Sequence, residues 1–141
     1  MINTLSENAR NFNWLVNNFV DSTAGVSDAV AVSSDGLLMA MSRTLSRAGA
    51  ERVAAIISGL MSLGKGAARC FDFEGLQQVI VAMDLGYLFV SSISDGSSLG
   101  VVAHRNCDIG LVGYQTTLLV ERVGDVLTPA LVAELKYSVL A

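Results

Sequence analysis

The sequence predicts an α/β protein of the α+β type, built on a five-stranded antiparallel sheet. Two groups of β-rich segments, the first of two and the second of three, are joined internally by short turns such as Asp35-Gly36 and Asp95-Gly96. Connections that short can only reverse the chain, so neighbours within each group pair antiparallel. Segments with apolar residues at helical spacing lie before, between and after those groups. The composition agrees: 141 residues, 52% apolar and 16% charged, with one proline and a mean hydropathy of +0.52. That excludes a disordered chain and gives room for one domain of ordinary size. The expected order is α-β-β-α-β-β-β-α plus a short C-terminal helix, one domain over 1–141 with its core at about 8–127.

The first helix carries Leu5, Ala9, Phe12, Val16 and Phe19 on one face. Thr4-Leu5-Ser6-Glu7 fits a capping box with Thr4 as the cap, Gly25 closes the segment, and Trp14 falls off the stripe, either half-buried or a contact residue. A hairpin follows, with Val26, Val30 and Val32 on one face of its first strand. Asp35-Gly36 supplies the positive-φ dipeptide of a tight turn. Leu37, Met39 and Met41 share one face of the return strand. The central helix starts after Ser46 and runs through AERVAAIISGLMSLGKGAARCF. Val53, Ile57, Leu60, Ala67 and Phe71, reinforced by Ile56 and Leu63, form its inner stripe. About 100° away lies a second stripe: Arg52, Ala55, Gly59, Ser62, Gly66 and Arg69. Glycine inside a helix costs about 1 kcal/mol relative to alanine, so two on one face imply close approach of another backbone.

Strands at 76–83, 87–93 and 99–104 then form a meander. The last long helix begins at Asp108 as N-cap, with Ile109, Val112, Leu119 and Val123 inward. Thr128-Pro129 starts a tail helix over 128–140 through Leu131, Leu135 and Val139.

Several function classes are excluded at this level. The net charge of −4 offers no basic field for nucleic acid or an anionic membrane. Cys70 and Cys107 are lone residues without metal or redox spacing, and both are expected buried as small hydrophobes in a reducing compartment. MINTLSENARNF lacks the basic and apolar regions of a signal peptide, and no apolar run is long enough to span a membrane. The expectation is a soluble cytoplasmic protein that reaches a membrane only through partners.

Catalytic equipment is sparse. Gly59-Leu-Met-Ser-Leu-Gly64-Lys65-Gly66 mimics a phosphate-binding loop. However, glycine stands where a magnesium-binding hydroxyl is needed, and the segment is helical. His104 has no companion ligands for a metal; with Cys107 it makes at best a remote dyad. The aspartates sit at turns and element ends, where they cap. No catalytic residue, cofactor or metal is expected.

The ordered set of the VSDAVAVSSDGLLMAMS hairpin, the AERVAAIISGLMSLGKGAARCF helix and the VIVAMDLGYLFVSSISDGSSLGVVA meander resembles the Roadblock/dynein light-chain family. It looks closest to bacterial members encoded beside a sensor kinase and a Ras-like GTPase. The likeness covers about 8–127. It implies a profilin-like fold with helices on both sheet faces, homodimers joined through the central helix and the strand after it, and binding and regulation of small GTPases. It has no firm counterpart for the tail helix. The Arg52-to-Arg69 stripe suits a helix packed on its own symmetry mate, and Gln77, Val79 and Val81 lie on the strand that would pair across the axis.

The leading functional expectation is a non-enzymatic homodimeric regulator or scaffold for a Ras-like small GTPase, within a sensor-kinase complex. Arg43, Arg47 and Lys65 are the candidate GTPase contacts, and Arg52 and Arg69 are further arginines flanking the helix. The alternative is a small-molecule-sensing domain in a kinase pathway, with Met83, Tyr87 and Phe89 lining its pocket.

Overall fold

The computed structural model describes residues 5–140. Its elements are α1 (Glu7–Ser22), β1 (Val26–Val32), β2 (Leu38–Met41), α2 (Arg47–Phe71), β3 (Gln78–Met83), β4 (Gly86–Ser92), β5 (Ser98–His104), α3 (Ile109–Val126) and α4 (Pro129–Leu140). The five strands form one antiparallel sheet in the order β2-β1-β5-β4-β3. Pairing of β1 with β5 unites the two strand groups, so β2 and β3 become opposite edges. The chain must therefore cross the sheet between them. At about 1.5 Å per residue the 25-residue α2 is about 37 Å long, ample for four strand spacings of about 4.8 Å.

Two cores result. On one face α1, α3 and α4 pack Phe12, Phe19, Leu119, Val123 and Leu135 against Met39, Phe89 and Leu99. On the other, α2 packs Ala54, Ile57 and Met61 against Val30, Val32, Leu88 and Val90. The alternation along β1 divides small from large: Ala29 and Ala31 face the three helices, Val30 and Val32 face α2. Val26 departs from the expected face. A register shift between Val26 and Asp28 turns it towards the three-helix side with the alanines. The return strand also departs: Met39 belongs to the three-helix core, Met41 packs on the α2 side, and Leu37 precedes the strand, exposed.

Each helix is capped by a short polar side chain at its N-terminus. Ser46 Oγ accepts from Gly49 N–H at 3.0 Å, Asp108 Oδ1 from Leu111 N–H at 3.1 Å and Thr128 Oγ1 from Leu131 N–H at 3.1 Å. On α1 the cap is Ser6, accepting from Ala9 N–H at 3.2 Å; Thr4 lies outside the described residues. The Ser33–Leu37 and Ile93–Ser97 turns share one geometry. Gly36 N–H donates to Ser33 O at 2.9 Å and Gly96 N–H to Ile93 O at 3.0 Å. In each Asp-Gly pair only the glycine adopts positive φ, +85° and +92°, as in a type I turn closed by a left-handed residue. Gly25 is doubly constrained. Its φ is +87°, and a Cβ there would stand 2.6 Å from Cys107 Cβ.

Three surface placements differ from expectation, and Trp14 is not the half-buried residue of its first reading. Trp14 is 56% exposed because it points away from the sheet, opposite Phe12 and Val16. Ile109, in the first turn of α3, is more than one-third exposed, and the inner face it was assigned to is completed by Thr116 instead. Cys70 is exposed on α2, and Cys107 is half-buried against the core.

The tail helix α4 lies along the outer edge of β2, with Leu131 and Leu135 in the three-helix core and Val139 reaching the α2 core. Two polar contacts fasten it. Lys136 Nζ meets Asp35 Oδ2 at 3.2 Å. Glu134 accepts from Ser6 N–H at 2.8 Å and Ser6 Oγ–H at 2.6 Å. Those two donors hold the Glu134 carboxyl below the usual glutamate range, because they favour its charged form. A lowered folded-state pKa means the clasp is fully present above the unfolded value, about 4.3, and fades as pH falls below it. Glu134→Ala should raise amide hydrogen exchange in the first turn of α1 at neutral pH. In the parent the same increase should emerge only in acid, and exchange read by mass spectrometry distinguishes the two.

Candidate functional site

The two sheet edges are treated differently: α4 runs along β2, whereas β3 stands at the far end of the strand order. The β3–β4 hairpin closes on Met83 opposite Gly86, and Ser92 N–H donates to Gln77 O at 3.0 Å. Hydrogen-bonding residues recur every second position in an antiparallel pair. Gln77, Val79, Val81 and Met83 therefore turn their backbone groups to β4. Gln78, Ile80 and Ala82 turn theirs outward. The sequence singled out Gln77, Val79 and Val81 by side chain, and alternation gives the open backbone groups to their neighbours.

Side chains border this edge on both faces. Val79 and Val81 pack beneath α2, and Met83, on the same face, is exposed. Ile80, on the other face, stands opposite the buried Phe89 yet is 50% exposed. Next to β3 runs one flank of α2. It is located by Gly64, where a Cβ would lie 2.6 Å from Leu76 Cδ2 and 3.3 Å from Val79 Cγ2. At 100° per residue Ile56, Leu60, Leu63, Ala67 and Phe71 share that flank or the crest beside it. The inner face of α2 is instead Ala50, Ala54, Ile57 and Met61. Ile56, Leu63 and Phe71, assigned to the inner stripe from their spacing, are 55%, 75% and 67% exposed, and Ala67 is exposed too. A helix lying on a sheet buries only a narrow arc, and the wider apolar surface was too broad for it. Phe73 extends the strip, its ring 5.7 Å from that of Phe71. Positive φ at Asp72 and Glu74 turns the chain there from α2 into β3.

The small-residue stripe lies elsewhere. Ser62 borders a cavity shared with Ser33, Asp35, Gly36 and Lys65, on the flank facing the β1–β2 turn. Arg52, Ala55, Gly59 and Arg69 are exposed and Gly66 is half-buried. A Cβ at Gly59 would meet nothing within 4 Å, and at Gly66 only Arg69 of the same helix at 4.0 Å. No packing within the chain requires either glycine. In the middle of α2 the glycine whose Cβ would meet another element is Gly64.

The cationic candidates do not converge. Arg43 pairs with Asp21 at 2.9 Å while its N–H donates to Asn17 Oδ1 at 3.0 Å. Arg47 pairs with Glu51 at 3.2 Å in the first turns of α2. Lys65 follows Arg47 by about 27 Å of helix rise. Met83 points to the opposite sheet face from Tyr87 and Phe89, whose rings are 5.8 Å apart in and beside the three-helix core. Those three residues therefore do not line one pocket. The loop-like Gly59-to-Gly66 segment is continuous α-helix, so its amides are engaged along the helix. His104 is exposed at the end of β5. Among the described residues no helix is long and apolar enough to cross a membrane.

The architecture, a five-stranded antiparallel sheet under one long crossover helix with α1 and α3 behind it, defines a profilin-like Roadblock fold. The model of the Roadblock/LC7 domain matches residues 12–103, and the chain belongs to that family. A Roadblock/LC7 domain from Streptomyces avermitilis superposes with a TM-score of 0.75 at 37% identity, over 79% of this chain and 92% of that one. Myxococcus xanthus MglB superposes with a TM-score of 0.78 at 12% identity, over 90% and 98% respectively. The gliding protein MglB of Thermus thermophilus gives 0.77 at 13% identity, over 87% and 93%. No curated protein matches the sequence.

The glycine geometry makes opposite demands at two positions five residues apart. Gly59→Ala should stabilise the isolated chain by about 0.8–1 kcal/mol, the helix-propensity gain with nothing to collide against. Gly64→Ala should lose that gain, because Leu76 must move aside. Urea unfolding of both variants reads the difference.

Proposed function

We infer that this protein is a homodimeric regulator or scaffold that binds a Ras-like small GTPase and modulates its nucleotide cycle in a bacterial signalling system, without catalysis of its own. The observation that carries the dimer is the state of β3. Natural sheets protect an open edge with charge, proline, a bulge or a cover. QVIVAM has neither charge nor proline, and its register with β4 is unbroken. Apolar side chains stand exposed on both sides of it. A second copy satisfies all of this at once, because the outward groups of Gln78, Ile80 and Ala82 are self-complementary in an antiparallel ladder centred on Ile80. The adjoining flanks of α2, Ile56, Leu63 and Phe71, would then pack across the same twofold axis. Family membership supports the GTPase, and a sensor-kinase complex is the wider assembly in which such a regulator would work.

Within this arrangement the Arg52-to-Arg69 stripe faces away from β3. Gly59→Leu is therefore expected to leave the dimer intact. Ile80→Pro removes an outward N–H but no bond to β4, so the strand survives while the ladder to a second copy loses its centre. Sedimentation should show a folded monomer for Ile80→Pro and a dimer for Gly59→Leu. The reverse pattern would assign the interface to the small-residue stripe. The GTPase reading is tested by pull-down and by GTP hydrolysis of a Ras-like small GTPase from the same cell, with and without this protein. Binding together with an altered rate supports a regulator, binding alone a scaffold, and neither removes the proposal.

A further inference from the structure

A cavity of about 360 Å³ opens where the two Asp-Gly turns meet the middle of α2, lined by Ser58, Ser62 and Lys65 of the helix and by Ser98 at the start of β5. The turns close in on it: a Cβ at Gly96 would stand 3.5 Å from Ser34 Cβ, and one at Gly36 3.0 Å from Ser58 Oγ. Its size is at the lower end of small-molecule sites, about 300–1,000 Å³. It lies within one chain and needs neither the dimer nor the GTPase.

Ser98 is the residue that points to a ligand. Along β5, Leu99 and Val101 face the three-helix core, and alternation turns Ser98, Gly100 and Val102 towards α2. Gly100 lies directly beneath Ile57, with no room for a Cβ. Two residues away, Ser98 is only 7% exposed. A polar side chain buried to that degree is nearly always hydrogen-bonded. Its cross-strand neighbour Ser92 obeys the rule, donating its hydroxyl to Leu76 O at 2.7 Å. The Ser98 hydroxyl has no partner among the described residues. Since no fully enclosed side-chain polar atom there lacks one, it opens into the cavity that it lines.

Charge decides what the cavity accepts. Ser58, Ser62 and Lys65 share one flank of α2 by helical spacing. None of their side chains has a hydrogen-bond or ion-pair partner among the described residues. Asp35, the carboxylate in the lining, is committed to Ser33 and to Lys136, whose Nζ is 3.2 Å away. Three uncommitted hydroxyls and one uncommitted ammonium therefore converge, a set suited to an anion with several oxygens. A carboxylate offers two oxygens in one plane. A phosphate group offers three acceptor oxygens around a tetrahedral centre and a larger negative charge, and lysine serves such groups as a point charge.

We propose that this cavity binds a phosphate group, carried by a small phosphate monoester or present as the free ion. Lys65 supplies the charge, and the hydroxyls of Ser58, Ser62 and Ser98 donate to the phosphate oxygens.

The test titrates the full chain with inorganic phosphate and, separately, with glycerol phosphate, read by backbone amide resonances in NMR spectra. Binding should saturate at one ligand per chain, with the largest shifts at Ser58, Ser62, Gly96 and Ser98. Lys65→Gln should weaken it at least tenfold, and Ser98→Ala, which keeps the fold and removes only the hydroxyl, at least threefold. Arg122→Gln removes an exposed cation from α3, on the other face of the sheet, and should change binding less than twofold. Tighter binding of glycerol phosphate assigns the cavity to a monoester; equal or tighter binding of inorganic phosphate assigns it to the free ion. No saturable shift with either probe, shifts centred elsewhere, or an equal loss in Lys65→Gln and Arg122→Gln overturns the proposal and leaves the cavity to water.

Discussion

The long crossover from one edge of the sheet to the other constrains most of the rest. Because β1 pairs with β5, the strand before α2 and the strand after it lie at opposite edges. A single helix must span the sheet, and it must be the only layer on that face. Its inner arc, Ala50, Ala54, Ile57 and Met61, uses small residues at one end and larger ones further along, which sets the helix down close to β1 and β2. The other consequence is at the far end. α2 delivers the chain through Phe71 to Phe73 directly into β3, so an open strand edge and an exposed apolar helix flank are adjacent by connectivity. A partner that covers one necessarily meets the other.

The opposite edge shows what covering looks like inside the same chain. β2 is short, and α4 lies along it, anchored by Leu131 and Leu135 below and Val139 above. The helix contributes apolar burial, with the Glu134–Ser6 and Lys136–Asp35 contacts fixing its direction. An exposed ion pair such as Lys136–Asp35 adds little to stability, typically about 0–1 kcal/mol. Their effect is orientation. Among the described residues, then, one edge of the sheet has a built-in cover and the other has none. Side chains alone would not have marked it, since Val79 and Val81 are half-buried like many strand residues.

Glycine illustrates how the same residue type carries different physics. Gly25 is required by positive φ and by Cys107 behind it; Gly64 by the methyl groups of Leu76; Gly59 by nothing within the chain. Two glycines on one helical face permit close approach of another backbone, but within one chain no neighbour stands close enough to demand Gly59. Whether a glycine is demanded depends on the position of its neighbour, which belongs to another segment.

The elements, their order, most caps and turns, and the antiparallel pairing within each hairpin are legible in the residues alone, because all of these are local: Ser46, Asp108 and Thr128 cap helices within three residues, and Gly36 and Gly96 close turns within four. The sequence also carried the family resemblance, which is a matter of ordered pattern. Packing between distant segments settled which of two apolar arcs on α2 meets the sheet, that Val26 changes face, that Trp14 and Cys70 are exposed, and that Gln78, Ile80 and Ala82 turn their backbone groups outward. Helical and strand periodicity state which residues share a face. They do not state how wide an arc a neighbour covers, where a register shift falls, or which edge lacks a cover. Those depend on contacts between segments far apart in the chain.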